Sequence, residues 1–119
     1  MGITFDEQDG VIIRRFTGEV KFEDVIESWN MLFTNYPMLE DYNGILTTFL
    51  DSEIELEDKN LNALVEYLKN HLEQLKDLKI AVVMDTPMVT STIIVGQRVK
   101  SLQIKPFTTL EAAMHWIRH

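Results

Sequence analysis

The chain has 119 residues, 45% of them hydrophobic and 25% charged, and carries a formal net charge of −8. That length suits one domain able to bury roughly two-thirds of the surface its unfolded chain exposes, and so acidic a balance repels phosphate backbones and anionic lipid, arguing against nucleic-acid and membrane partners. The lack of cysteine excludes disulfides, thiol catalysis and thiolate metal sites; with no leader-like start and no apolar run near the ~18 residues of a membrane span, the expected location is the cytoplasm.

In chain order, Ile3-Thr4-Phe5 and Val11–Phe16 read as two strands turned by Gln8-Asp9-Gly10, because Asp-Gly between β-type runs signals a hairpin. Thr17-Gly18 is expected to break the second strand. Phe22, Val25, Ile26, Trp29, Leu32, Phe33 and Tyr36 follow a 3.6-residue period and predict a helix ending before Pro37. After a loop over Leu39–Asn43, Gly44 leads into a strand, Ile45–Leu50, expected to stop at Asp51-Ser52. Glu53–Asp58 is acidic, a loop or first helical turn, and suits the positive end of a helix marked by Leu61, Leu64, Val65, Leu68, Leu72 and Leu75.

Leu78–Met84 reads as a strand covered on both faces. Thr86-Pro87 is an N-cap followed by proline at the first helical position. The β-branched Val89, Thr90, Thr92, Ile93, Ile94, Val95 and Val99 pull towards strand. The cap, and the crossover that parallel strands need, predict instead a helix from about Pro87 to Lys100. Leu102–Phe107 is the last strand. Thr108 and Glu111 are spaced as a capping box for a terminal helix that aligns Leu110, Ala113, Met114 and Ile117 on one face.

The order β-β-α-β-α-β-α-β-α predicts an α/β fold in a single domain over residues 1–119. It has a leading hairpin and a mixed, mostly parallel sheet with helices packed on it through right-handed crossovers. No catalytic or metal signature accompanies it. His71, His115 and His119 lack metal-ligand spacing and read as solvent-facing, Gly10, Gly18, Gly44 and Gly96 are isolated, and no nucleophile-elbow motif occurs. The expectation is a non-enzymatic protein without metal or cofactor. Trp29, Trp116, Phe22 and Phe33 read as core aromatics, and Met31, Met38, Met84, Met88 and Met114 offer an adaptable apolar pocket.

Gly10-Val11-Ile12-Ile13 in the hairpin, Phe16–Val20 before the first helix, Ile80–Asp85, and the closing Phe107–Ile117 together resemble the SpoIIAA-like branch of the STAS superfamily, the bacterial anti-anti-sigma-factor-like domains. The resemblance covers nearly the whole chain. It implies a small regulatory domain that binds a partner protein or, in some relatives, a small apolar or lipidic ligand. It also implies a phosphorylatable serine at the start of the second helix, in an Asp-Ser-Ser/Ala-Gly run. Matching the dipeptide selects Asp51-Ser52, but Glu53 and Ile54 then replace the small residue and the glycine. Matching the helix through Leu61, Leu64 and Val65 sets Glu57-Asp58-Lys59-Asn60 against the motif, with Asp58, already anionic, at the acceptor position. A buried helical face is harder to shift than a loop dipeptide, so the second register is preferred. A phosphate there would meet like charge from Glu53, Glu55 and Glu57.

The expected contact surface therefore runs from Asp51 to Asp58 and from Asp85 to Met88. It comprises Asp51, Ser52, Glu55, Glu57, Asp58, Asp85, Thr86 and Met88, and faces a protein partner with a basic patch. Asp51, Ser52, Asp85 and Thr86 would stand at the carboxyl ends of two strands, where open α/β sheets bind ligands. Two alternatives are kept. One is a small apolar ligand in a cavity between the first and third helices. The other is a receiver-type phosphoacceptor, with Asp51 as acceptor, Thr86 as hydroxyl and Asp6-Glu7 as acidic metal pair; the hairpin after Gln8 argues against it. A homodimer is also admitted.

Overall fold

The computed structural model describes residues 2–54, 57–85 and 89–119. β1 (Gly2–Gln8) and β2 (Val11–Val20) pair antiparallel, from Gly2 opposite Thr17 to Gln8 opposite Val11. Asp9 and Gly10 take φ of 53° and 78°, the left-handed pair that a type I′ turn needs and that an aspartate followed by glycine tolerates. The chain continues through α1 (Phe22–Asn35), a 3-10 turn (Leu39–Asp41), β3 (Gly44–Ile54), α2 (Asp58–Asn70) and the short α3 (Leu72–Leu75). β4 (Lys79–Val83), α4 (Val89–Arg98), β5 (Gln103–Phe107) and α5 (Leu110–Arg118) complete it. The strands form one sheet in the order β1-β2-β3-β4-β5, with every pair after the first parallel. Among the described residues no helix is long and apolar enough to cross a membrane.

Alternation along the strands divides the interior in two. Ile12, Phe16, Ile45, Ile80 and Val82 face the larger core, which α1 to α4 cover with Val25, Trp29, Leu32, Leu61, Leu64, Leu68, Leu75 and Val95. Val11, Leu46, Ala81 and Val83 face the other way, against Ala113 and Ile117 of α5. α5 lies close on the sheet because Gly44 has no side chain; a Cβ there would run into the Lys79 carbonyl oxygen and the Ile117 side chain. α1 starts where Asp24 accepts a hydrogen bond from the Lys21 backbone N–H at 2.9 Å, and it ends two residues before Pro37.

Several boundaries differ from the sequence reading. β2 does not break at Thr17-Gly18 but runs to Val20, with Gly18 at a φ of 79°. β3 likewise does not stop at Asp51-Ser52. The register steps from Arg15 opposite Thr48 to Thr17 opposite Asp51, so Phe49 and Leu50 together oppose Phe16. This bulge re-aims the strand and lets pairing resume to Ile54 opposite Val20. The second helix is interrupted at His71, whose φ of −112° and ψ of 14° are non-helical. His71 is half-buried rather than solvent-facing, its ring stacked 4.3 Å from Tyr67 and 4.9 Å from Phe33. The terminal helix is capped one residue later than expected: the Thr109 hydroxyl, not Thr108, accepts from the Ala112 N–H at 3.2 Å, and Leu110 is left exposed. Trp116 is half-buried against Phe107 rather than in the core. The β-branched stretch does form a helix, α4, with Thr92 and Val95 inward. Its expected cap, Thr86-Pro87, lies outside the described residues.

Candidate functional site

Because β2 and β3 extend together past the bulge, their ends and the starts of α1 and α2 frame a cleft. Glu19, Val20, Lys21, Phe22, Glu23, Glu53, Ile54, Glu57, Asn60 and Asp85 line it, and its volume is about 650 Å³. Among the described residues, five carboxylates thus share the cleft with one lysine. Glu57 is the N-cap residue of α2 and Asp58 its first helical residue, where acid is favoured by the helix dipole. Lys59 lies 3.5 Å from Glu57, but both side chains are exposed, so the pair adds little stability and leaves the field negative.

The expected surface is only partly assembled here. Glu57 and Asp85 line the cleft, joined by Glu53; Asp51, Ser52 and Asp58 are not among its walls. Glu55, Thr86 and Met88 lie outside the described residues. Ser52 is half-buried on β3, with its hydroxyl donating to the Phe49 carbonyl at 2.9 Å, six residues before α2 begins. No serine stands at the start of α2, which opens with Asp58 after the N-cap Glu57. Glu19 and Glu23 escaped the sequence reading, because a strand expected to end at Thr17 placed them elsewhere.

The receiver constellation does not form. Asp6 and Glu7 pair with Ile13 and Ile12 near the start of β2, whereas Asp51 lies beside Thr17. About five strand residues, roughly 15 Å, separate the two levels.

A second cavity, which shares Ile54 with the cleft, lies between the sheet and α1, α2 and α4. Its volume is about 70 Å³, and Val25, Trp29, Leu64, Leu68, Met84 and Val95 are among its walls. Of the methionines expected to line an apolar pocket, Met84 alone does so among the described residues. One wall is charged. Arg14 stands between Ile12 and Phe16 on the core-facing side of β2 and is only 3% exposed. Its cross-strand neighbour is Thr47, whose hydroxyl accepts from Nε at 3.1 Å and Nη2 at 2.9 Å; Ser28 of α1 accepts from Nη1 at 2.7 Å. The guanidinium carbon lies 4.1 Å from the Trp29 ring centroid and 5.5 Å from that of Phe16, a cation–π arrangement. Burial pushes the Arg14 guanidinium down to about 9 from its ordinary 12.5, with Tyr67 opposing the change, so it remains a cation at neutral pH. The described residues bind it only through hydroxyls and rings. The alternating Ile12-x-Arg14-x-Phe16 pattern was the available signal for this residue.

No family model matches the chain, and no curated protein matches it. Solved structures do. A DUF3478-family protein with a SpoIIAA-like fold from Shewanella loihica PV-4 superimposes with a TM-score of 0.60 at 15% identity, over 98% of this chain and 92% of that one. The chain has a SpoIIAA-like fold. The anti-sigma factor antagonist SpoIIAA in its unphosphorylated form gives 0.61 at 15% identity, covering 98% of each chain. An anti-sigma factor antagonist from Mycobacterium paratuberculosis gives 0.66 at 15% identity, over 99% of this chain and 94% of its own. The SpoIIAA-like frame matches the leading hairpin and alternating elements read from the sequence.

Proposed function

We propose that this SpoIIAA-like chain is a non-enzymatic regulatory module of the cytoplasm that binds a partner protein through the acidic cleft. The observation that carries the reading is the convergence of Glu19, Glu23, Glu53, Glu57 and Asp85 on one concave surface with, among the described residues, a single lysine. Such a field steers a partner carrying a basic patch and rejects polyanions. The anti-sigma factor antagonists that share the fold support a protein partner. Neither position matched to the family's serine leaves one at the start of α2, so the switch is constitutive charge rather than phosphorylation at that helix.

The test is affinity capture from the source cells with the wild-type chain and a Glu53→Lys/Glu57→Lys variant. A captured protein that is released by salt and lost with the variant supports the reading. Equal capture by the two baits removes the cleft from consideration. A second reading, a small apolar ligand, is favoured by the cavity of about 70 Å³ between the sheet and α1, α2 and α4.

A further inference from the structure

The two edges of the sheet differ in how they are protected. β5, at one edge, carries Lys105 and Pro106, residue types that blunt an exposed strand. β1, at the other, is seven residues long, pairs with β2 without a bulge, and holds neither lysine nor proline. The hairpin fixes which way its backbone groups point. Gln8 and Val11 flank a two-residue turn and so exchange both of their hydrogen bonds; alternation then turns Asp6, Thr4 and Gly2 towards β2 as well. The N–H and C=O groups of Ile3, Phe5 and Glu7 therefore point outward. Glu7 agrees, since its N–H donates to the Asp6 carboxylate at 2.8 Å. Beyond Ile3 and Phe5 the sheet has no further strand among the described residues, and no turn or loop backbone answers them. That row of unpaired groups is a template for another strand.

We infer that β1 is a self-association edge, along which a second copy lays its own β1 antiparallel about a two-fold axis through Thr4. The two strands must keep like faces together. Centred on Thr4, Ile3 meets Phe5 of the second copy and Phe5 meets its Ile3, which closes four backbone hydrogen bonds and leaves the Glu7 N–H on Asp6. An aromatic against a β-branched residue is a favoured cross-strand pair, as is Thr4 against Thr4, and Asp6 meets only Gly2. Centred on Phe5, the strands would set Ile3 against Glu7 and call on the N–H that Asp6 already holds. Centred on Asp6, they would set carboxylate against carboxylate. This self-match selects a second copy as the occupant. The helices α1, α2 and α4 of both copies would lie on one side of the joined sheet, with the two acidic clefts at its opposite ends. The inference stands independently of what those clefts bind.

The experiment is sedimentation of the full chain from about 10 μM to about 1 mM, a range that brackets small, transient interfaces, at low and high salt. A monomer–dimer equilibrium that tightens with salt is expected, because each copy carries a net charge of −8. Thr4 is exposed and lies beside Arg15 on β2, so the monomer accommodates Thr4→Asp, while the dimer then holds two carboxylates face to face on its axis. That variant should weaken the dimer at least about fivefold. Thr4→Lys should weaken it likewise, and an equimolar mixture of the two variants should restore association; circular dichroism checks that each is folded. Monomer throughout the range, or a dimer indifferent to Thr4→Asp, would overturn the inference. Tightening by Thr4→Lys alone would set the new ammonium against Asp6, the register centred on Phe5, and would overturn the assigned pairing.

Discussion

Replacing Arg14 with methionine should make the protein more stable, although it removes three hydrogen bonds. The depression of the guanidinium from 12.5 to about 9 corresponds to about 5 kcal/mol against the buried cation, at about 1.4 kcal/mol per pH unit. Two hydroxyl acceptors, Thr47 and Ser28, offset this by about 3 kcal/mol, taking roughly 1.5 kcal/mol for each acceptor of a charged donor, since the two bonds to Thr47 share one oxygen. The Trp29 contact is retained in kind, since methionine sulfur also packs favourably on aromatic rings. Arg14→Met is therefore expected to gain about 2 kcal/mol, in line with buried charges replaced by apolar side chains, and to raise Tm by roughly 6–12 °C. Urea and thermal unfolding of both proteins at pH 7 measure it. The pH dependence has a definite sign. Below about pH 9 both folded and unfolded Arg14 are protonated, and the methionine advantage is constant. From about 9 towards 12.5 the folded wild type sheds its proton first, so its stability recovers and the advantage shrinks. A loss of 2 kcal/mol or more on substitution would refute the reasoning and make Arg14 a structural keystone.

Further outcomes follow from particular contacts. The Tyr42 hydroxyl donates to Glu7 at 2.7 Å, and this bond, with Glu7's charge, pushes it up to about 12. Ultraviolet titration should find one tyrosine ionising near there, returned towards the ordinary range by Glu7→Gln; because the folded phenol holds its proton longer, that stabilisation is lost as pH rises from 10 through about 12. Thr109→Ala should cost about 1 kcal/mol in urea unfolding and Thr108→Ala close to nothing, since only Thr109 caps α5. Gly44→Ala should destabilise by about 1–3 kcal/mol, because the added carbon meets backbone of β4 as well as Ile117; an unchanged midpoint would show that α5 can move off the sheet freely.

The elements with strong local chemistry were legible from residue order alone. Asp9-Gly10 announced the hairpin, and the stripe from Phe22 to Leu32 announced α1 with its end near Pro37. The β-branched α4 was legible only through connectivity, because parallel β4 and β5 need a crossover whatever the propensity of Val89–Val95. What the sequence hid depends on pairing partners. The bulge opposite Phe16 carries β3 through Asp51-Ser52 and brings Glu19 and Glu23 beside Glu53 and Glu57, and no local pattern encodes that register. At the break, His71 stacks on Phe33 from another helix, a contact that sequence spacing does not show. Arg14 was readable from alternation, but its neighbour Arg15 makes the pair look like the frayed end of a strand.

The strands follow one another across the sheet in the order in which the chain makes them. A sheet wound in one direction has no place among its described strands where neighbouring connections part to opposite sides, and so lacks the crevice that doubly wound sheets use for ligands. With α1, α2 and α4 all stacked over one side, enclosed space arises under that layer of helices. Ile54 borders both that space and the acidic cleft, so the wall that closes the one also shapes the other.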